Sequence, residues 1–205
     1  MNSDQALQRL LEGNRRYVSN QPALDGSPGR RMDVAQRQKP LAIILGCVDS
    51  RVPPELIFDQ GLGELFVIRT AGEVLDQAVL GSLEFGVAEL QIPLLVVLGH
   101  ERCGAIKATI EVLERQGLAE ADIAYIVEAL TPAVEQGEHS EGDIWERAGR
   151  AQVALQVERL KGTPVLATAV ENGALKVVGA WYSLDTGLVE IFEKTSQNEP
   201  ERLTY

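Results

Sequence analysis

The chain has 205 residues, of which 45% are hydrophobic and 24% are charged, proportions typical of a globular protein and too apolar for a disordered one. Its 30 acidic and 19 basic side chains give a formal charge of −11, which disfavours nucleic acid and anionic membranes as partners because both carry phosphate groups. The apolar runs are far shorter than the ~20 residues of a membrane span, and the N-terminus lacks a signal peptide's apolar stretch, so we expect a cytoplasmic protein.

The first 37 residues predict a helix followed by an arm. Asp4 to Val18 has apolar residues at helical spacing, which is typical of an amphipathic helix. Asn20 to Arg37 is polar and contains proline and glycine, which indicates a loop or an extended arm.

The rest of the chain alternates between strand and helix patterns. Apolar runs typical of buried strands are Leu41 to Gly46, Glu64 to Arg69 and Leu94 to Gly99. Helical patterns cover Asp76 to Leu90 (with Asp76 as the N-cap), Ala105 to Arg115, Ala119 to Glu135 and Asp143 to Leu160, and another helix begins at Thr163-Pro164. Two further strands, Leu175 to Tyr182 and Leu188 to Phe192, predict a hairpin. We therefore expect one α/β domain over residues 1–205, with a mostly parallel central sheet flanked by helices, a C-terminal edge hairpin and an N-terminal helical arm (residues 1–37).

Cysteine and histidine are scarce, and their positions predict a metal site. Cys47 follows the first core strand, while His100 and Cys103 follow the third. Because the carboxyl ends of parallel strands meet at one edge of a sheet, two thiols and one imidazole can gather there. Thiolate and imidazole suit zinc, and three protein ligands leave the open fourth position of a catalytic site. His139 lies in a glycine- and glutamate-rich loop and is expected to be exposed rather than a ligand.

Two alternatives compete with this metal site. A disulfide between Cys47 and Cys103 would leave His100 unexplained, and a cytoplasm keeps thiols reduced. Each cysteine could also be a small buried apolar residue, with the histidine only hydrogen-bonded.

Asp49 and Arg51 lie beside Cys47 and can assist the metal. Zinc with two thiolates and a neutral imidazole is formally neutral, so it acidifies water less than a site with three histidines. Arg51 would keep Asp49 ionised through a two-pronged hydrogen bond, and Asp49 would then accept the hydrogen of zinc-bound hydroxide. Asp49 could instead bind zinc as a fourth ligand and close the site, or the pair could be an ordinary loop salt bridge.

Four segments resemble the β-class carbonic anhydrases, and the resemblance extends from about Ala6 to Phe192. They are CVDSRVPPE (47–55), VIRTAG (67–72), LGSLEF (80–85) and VLGHERCG (97–104). The resemblance implies reversible hydration of CO₂ to bicarbonate and a proton, with one zinc per subunit bound by Cys47, His100 and Cys103. It also implies Asp49 and Arg51 as the catalytic pair, and a homodimer or homotetramer in which the N-terminal helix wraps over its neighbour.

The resemblance also implies a substrate pocket. By family position, Phe66, Ala71 and Phe85 line an apolar pocket for CO₂, Gln38 hydrogen-bonds the substrate, and we expect the Gly104 amide to face a substrate oxygen. Ile44 replaces the tryptophan of the subtype in which the aspartate closes onto zinc, so the plant-like, open-site subtype is expected. Glu73 replaces a common asparagine.

The sequence leaves three rival functions open. One is hydrolysis of carbonyl sulfide or carbon disulfide by the same site, since both are linear electrophiles like CO₂. The others are a zinc-dependent binding protein without turnover and a two-cysteine redox protein, although the chain lacks a C-x-x-C motif.

Overall fold

The computed structural model describes residues 1–138 and 142–192, and its central feature is a five-stranded sheet in the order β2-β1-β3-β4-β5. The strands are β1 (Ala42–Cys47), β2 (Leu65–Thr70), β3 (Leu94–His100), β4 (Lys176–Tyr182) and β5 (Val189–Phe192). All neighbouring pairs are parallel except β4 and β5, which are antiparallel. The mostly parallel sheet and the C-terminal edge hairpin are therefore confirmed.

Helices cover both faces of the sheet. They are α1 (Ser3–Val18), α2 (Pro28–Val34), α3 (Pro54–Ile57), α4 (Gln77–Ala88), α5 (Gly104–Glu114), α6 (Ile123–Glu138), α7 (Ile144–Lys161) and α8 (Pro164–Glu171), with a 3-10 turn at Ala71–Glu73. Because side chains alternate along a strand, Ile43 and Leu45 pack towards α4, α7 and α8. Ala42 and Ile44 pack on the other face with α1 and α3. No helix in the described ranges is both long and apolar enough to cross a lipid bilayer.

The N-terminal arm contains a helix in a segment whose composition predicts a loop. Ser27 caps α2 by accepting a hydrogen bond from the Arg30 N–H, and Pro28 occupies the first turn, where its missing N–H costs nothing. None of the residues of α2 is buried. The helix therefore forms from its local cap rather than from packing.

Three other helices show how well local sequence signals predict the existence and the ends of a helix. Asp76 caps α4 as predicted, accepting from the Val79 N–H at 2.8 Å. The helix predicted from Ala119 begins only at Ile123 and then continues through Pro132 to Glu138. The short helix α3 was not predicted, since its four residues are too few to show a periodicity.

The carboxyl ends of β1, β2 and β3 form one edge of the sheet. Cys47 is the last residue of β1 and pairs with Thr70, the last residue of β2. His100 ends β3, and Cys103 is the N-cap of α5. The sequence elements that carry the candidate ligands therefore converge at this edge.

Candidate metal centre and active site

Cys47, His100 and Cys103 form a buried group at the carboxyl edge of the sheet. One ligand atom from each residue lies within 4.8 Å of those of the other two. Both thiols are free, and their Sγ atoms are 3.8 Å apart, nearly twice the length of about 2.05 Å in a disulfide. Two sulfurs bound to one tetrahedral zinc at about 2.3 Å lie about 3.8 Å apart. The spacing therefore fits a shared metal ion and not a bond between the sulfurs.

His100 presents one ring nitrogen to this group. Its Nδ1 lies 2.8 Å from the Glu101 carbonyl oxygen, so Nδ1 carries the hydrogen and donates it. Nε2 is then left with a lone pair, and it is buried without a hydrogen-bond partner among the described residues. A buried polar atom without a partner is costly unless a ligand satisfies it. The donor set and the orphaned nitrogen both fit a zinc ion.

The two sulfurs differ in how easily they ionise. Without metal, the hydrogen bond from the Cys103 thiol lowers the pKa of Cys47, and the same interaction raises the pKa of Cys103. Of the two thiols, Cys47 therefore ionises more easily, and the ionised thiolate is the form that binds a metal.

Asp49 and Arg51 form the predicted pair. The Arg51 Nε and Nη2 atoms donate to the two carboxylate oxygens of Asp49 at 2.9 and 2.7 Å, and the Arg51 backbone N–H donates at 2.9 Å. These hydrogen bonds, with that from the Arg51 side chain the largest, outweigh partial burial and lower the pKa of Asp49 to about 2. The Arg51 guanidinium also donates to the Arg102 carbonyl oxygen at 3.3 Å, which links the two ligand-bearing loops.

The loop from His100 to Cys103 is held by the C-terminal hairpin. The Glu101 N–H donates to the Tyr182 carbonyl oxygen, and the Glu101 carboxylate accepts from the Leu184 N–H at 2.8 Å. Arg102, in the left-handed region at φ +51°, forms two hydrogen bonds with Asp185. The edge hairpin thus positions two candidate metal ligands, His100 and Cys103, although it supplies neither of them.

Two supporting residues were not assigned these roles from the sequence. Arg69 donates to the carbonyl oxygens of Cys47 and Asp49 at 2.7 and 2.6 Å, which fixes the backbone between ligand and aspartate. The Trp145 indole donates to the Cys103 carbonyl oxygen at 2.6 Å. The only sequence signal for the role of Arg69 was its position near the end of a predicted strand. Trp145 gave no such signal, because it is 42 residues from Cys103 in the sequence.

Glu73 is a second acidic residue close to the thiols. It is 3% exposed, has φ +53°, and its Oε1 has no hydrogen-bond partner within the described part of the chain. Burial, followed by the negative charge of Cys47, raises its pKa well above the ordinary value. The surroundings of Glu73 therefore favour its neutral form.

The predicted substrate residues divide between the two ends of the sheet. Ala71 and Gly104 lie at the carboxyl edge, beside Cys47 and Cys103. Phe66 pairs with Ile43, four residues before Cys47 and so about 13 Å away along the strand. The Phe85 ring lies 6.5 Å from that of Phe66. Gln38 precedes β1 and is exposed at the same far end. His139 lies outside the described residues.

Known proteins are similar to this chain in both sequence and fold. The family model described as "Carbonic anhydrase" matches residues 42–189. The carbonic anhydrase of Mycolicibacterium smegmatis is 42% identical over 191 residues, which is 91% of each chain. Carbonic anhydrase 2 of Mycobacterium tuberculosis is 42% identical over 187 residues, or 89% of each chain.

Solved structures extend the comparison to three dimensions. The Coccomyxa β-carbonic anhydrase in complex with acetazolamide superposes with a TM-score of 0.72 at 30% identity, covering 90% of this chain and 85% of that one. Two tetrameric β-carbonic anhydrases from Sordaria macrospora also share the fold, with a TM-score of 0.72 at 22% identity, covering 80% of this chain and 86% of that one.

Proposed function

This chain belongs to the β-class carbonic anhydrases, which interconvert CO₂ and bicarbonate, and we propose that Cys47, His100 and Cys103 hold its single catalytic Zn²⁺. The observation that supports this assignment is the 3.8 Å separation of two free thiols beside a buried, unpartnered His100 Nε2 in the described structure. A disulfide or simple core packing would explain only part of that arrangement.

The residues around the proposed metal site have different roles in the reaction. A bound Zn²⁺ supplies a Lewis acid that lowers the pKa of a water molecule and so provides the nucleophile for CO₂. Asp49, kept ionised by Arg51, would accept a hydrogen bond from the nucleophile and so direct the nucleophile's lone pair towards the carbon of CO₂. The Gly104 N–H, at the positive end of α5, stabilises the negative charge that develops on a substrate oxygen. Because Asp49 is engaged by Arg51, we assign the chain to the open-site subtype.

The apolar part of the pocket comes from a second copy of the chain. Gln38, Phe66 and Phe85 lie at the end of the sheet opposite Cys47, so they do not reach the metal group of their own subunit. Phe85 is 48% exposed although it is a large apolar residue, as expected for a side chain that a partner covers. CO₂ then binds where the carboxyl edge of one subunit meets these residues of the other.

Charge also favours an oligomer in which the N-terminal arm contacts a neighbour. Residues 1–37 carry 6 basic and 4 acidic side chains, a net charge of +2, so residues 38–205 carry a net charge of −13. The arm therefore complements the acidic body of another copy, and α2 has no buried residue of its own. We propose a homodimer or homotetramer, and the two Sordaria macrospora enzymes that share this fold are themselves tetrameric. Two reduced thiols suit a cytoplasmic location.

Metal content and CO₂ hydration test the proposed site. Protein purified without added metal should contain one zinc per chain and hydrate CO₂ in stopped-flow assays. Cys47→Ser should lose the zinc, because a hydroxyl is a far weaker zinc ligand than a thiolate. A Cys47→Ser protein that retains its full zinc content would refute the ligand assignment. Carbonyl sulfide and carbon disulfide, assayed in parallel, should be turned over more slowly than CO₂.

A further inference from the structure

The Trp145 side chain connects α7 to a metal ligand. Its indole Nε1–H donates to the backbone carbonyl oxygen of Cys103 at 2.6 Å. The tryptophan lies in the first turn of α7, where Asp143 caps the helix by accepting from the Trp145 N–H at 3.2 Å. The Lys107 ammonium lies 5.7 Å from the centre of the ring. Asp143 therefore fixes the Trp145 backbone and Lys107 contacts one face of the ring, so the indole N–H has a defined direction.

This hydrogen bond fixes a particular peptide group. The Cys103 carbonyl belongs to the planar trans peptide that joins Cys103 to Gly104, in which C=O and N–H point in opposite directions. Holding the carbonyl towards Trp145 therefore aims the Gly104 N–H away from α7, out of the N-terminus of α5. A Cβ at Gly104 would meet no atom of the described structure within 4 Å, so the space beside this residue is open.

The Cys103–Gly104 peptide has few other contacts that could fix it. Cys103 is the N-cap residue of α5, but its own side chain makes no capping hydrogen bond. Its carbonyl oxygen otherwise accepts only the ordinary helical bond from the Lys107 N–H at 3.1 Å within the described ranges. Without the indole, the Cys103 backbone would lose its contact with α7 and could change its orientation at the helix end.

Trp181, the other tryptophan of the chain, makes a useful contrast. Its indole Nε1 is buried and has no hydrogen-bond partner among the described residues, and its ring packs under Gly149 and Gly99. Trp181 therefore contributes packing, whereas Trp145 contributes a directed hydrogen bond to a ligand residue.

We propose that Trp145 is a positioning residue, which orients the Cys103 sulfur towards the metal and the Gly104 N–H towards the substrate. The inference rests on the proposed metal site and goes beyond it, because Trp145 is neither a proposed metal ligand nor a proposed substrate residue. Loss of its N–H should loosen the metal and slow the reaction together, since both depend on the same peptide.

A tryptophan analogue tests the N–H with little change in shape. Both tryptophans are replaced by benzothienylalanine, in which sulfur replaces the indole N–H; only Trp145 then loses a hydrogen bond. We expect kcat/KM for CO₂ hydration to fall about tenfold, the effect of losing one hydrogen bond of about 1.4 kcal/mol. Chelator-driven zinc release should be faster by a similar factor. Protein loaded with Co²⁺ in place of zinc should show a shifted thiolate-to-cobalt absorption band.

Two single substitutions complete the test. Trp145→Phe should reproduce the analogue's effects on zinc release and on the cobalt spectrum. Trp181→Phe, the matched control, should lower thermal stability by opening a cavity but leave both readouts unchanged. Unchanged zinc release and an unchanged spectrum in both the analogue protein and Trp145→Phe would overturn the role of Trp145. An unmodified enzyme without a thiolate-to-cobalt band would instead overturn the metal site itself, and this proposal with it.

Discussion

At the scale of single residues, the site depends on hydrogen bonds that orient the ligands and the carboxylate. His100 is oriented through Nδ1, and both oxygens of Asp49 are held by Arg51. Arg69 connects these parts by donating to the carbonyls of Cys47 and Asp49. These hydrogen bonds fix the orientation of the side chains, which lowers the cost of organising the site.

Replacing Asp49 tests the division between metal binding and catalysis. Asp49→Asn should keep the zinc but lower kcat for CO₂ hydration by about 10²–10⁴-fold, because an amide cannot replace the ionised acceptor. Stopped-flow rates and metal analysis on the same sample measure both quantities. Asp122→Asn, at an exposed position in another part of the chain, serves as the control. A rate within about twofold of the unmodified enzyme would show that Asp49 has no catalytic role.

At the scale of elements, Asp59 ties the start of the arm to α1 and to the end of α3. Its buried carboxylate accepts from the Ala23 and Leu24 N–H groups and from Arg16 Nε at 2.5 Å. Burial alone would raise the pKa of Asp59, but Arg16 and the two N–H groups outweigh burial and lower it below 3.8. The attachment therefore depends on an ionised side chain.

Acid should release this attachment. Because the pKa of Asp59 is lower in the folded than in the unfolded protein, its stabilisation is present above about pH 4 and is lost as the pH falls through the lower value. Asp59→Asn should lower the free energy of unfolding by about 1–3 kcal/mol at neutral pH and by less at about pH 3. Urea unfolding at the two pH values measures this difference. Asp33→Asn, on the exposed face of α2, should change neither value, and an equal loss at both pH values for Asp59→Asn would contradict the assignment.

At the scale of the whole molecule, one copy of the chain holds only part of the proposed active site. The candidate ligands Cys47, His100 and Cys103 lie at the carboxyl edge of the sheet, whereas Phe66 and Phe85 lie at its other end. The edge strand β2 also favours association with a second copy, because all six of its residues are only half-buried in a single copy. Association would cover this surface and complete the pocket in one step.

Mixing two inactive variants tests this arrangement. Asp49→Asn removes the proposed catalytic carboxylate, and Phe85→Lys places a charge in the proposed apolar pocket, so each variant alone should be nearly inactive. If Phe85 serves the partner's site, a mixed dimer has one site with both changes and one with neither. Random re-association of equal amounts should then restore about a quarter of the unmodified activity. No recovery, with mixed dimers demonstrated by native mass spectrometry, would place Phe85 outside the partner's site.

The local sequence determined the elements and the chemistry of the ligands. Continuous apolar runs identified β1 and β3, because strands buried on both faces need apolar side chains at every position. Two cysteines and a histidine at the ends of those strands indicated zinc, because metal preference depends on donor type. Short-range signals also placed Asp76 as a cap and Arg51 within reach of Asp49, two residues away.

Tertiary structure alone decided which distant groups support the site and which residues share it. Trp145 is 42 residues from Cys103, and Asp185 is 83 residues from Arg102, so no local pattern connects either pair. The separation of Phe66 from Cys47 follows from strand register, which is a property of the assembled sheet. Donor chemistry is a property of each side chain, whereas orientation and proximity arise only when distant segments pack together. Residue types therefore indicated the kind of metal that the site could hold, and the fold determined the arrangement of the candidate ligands.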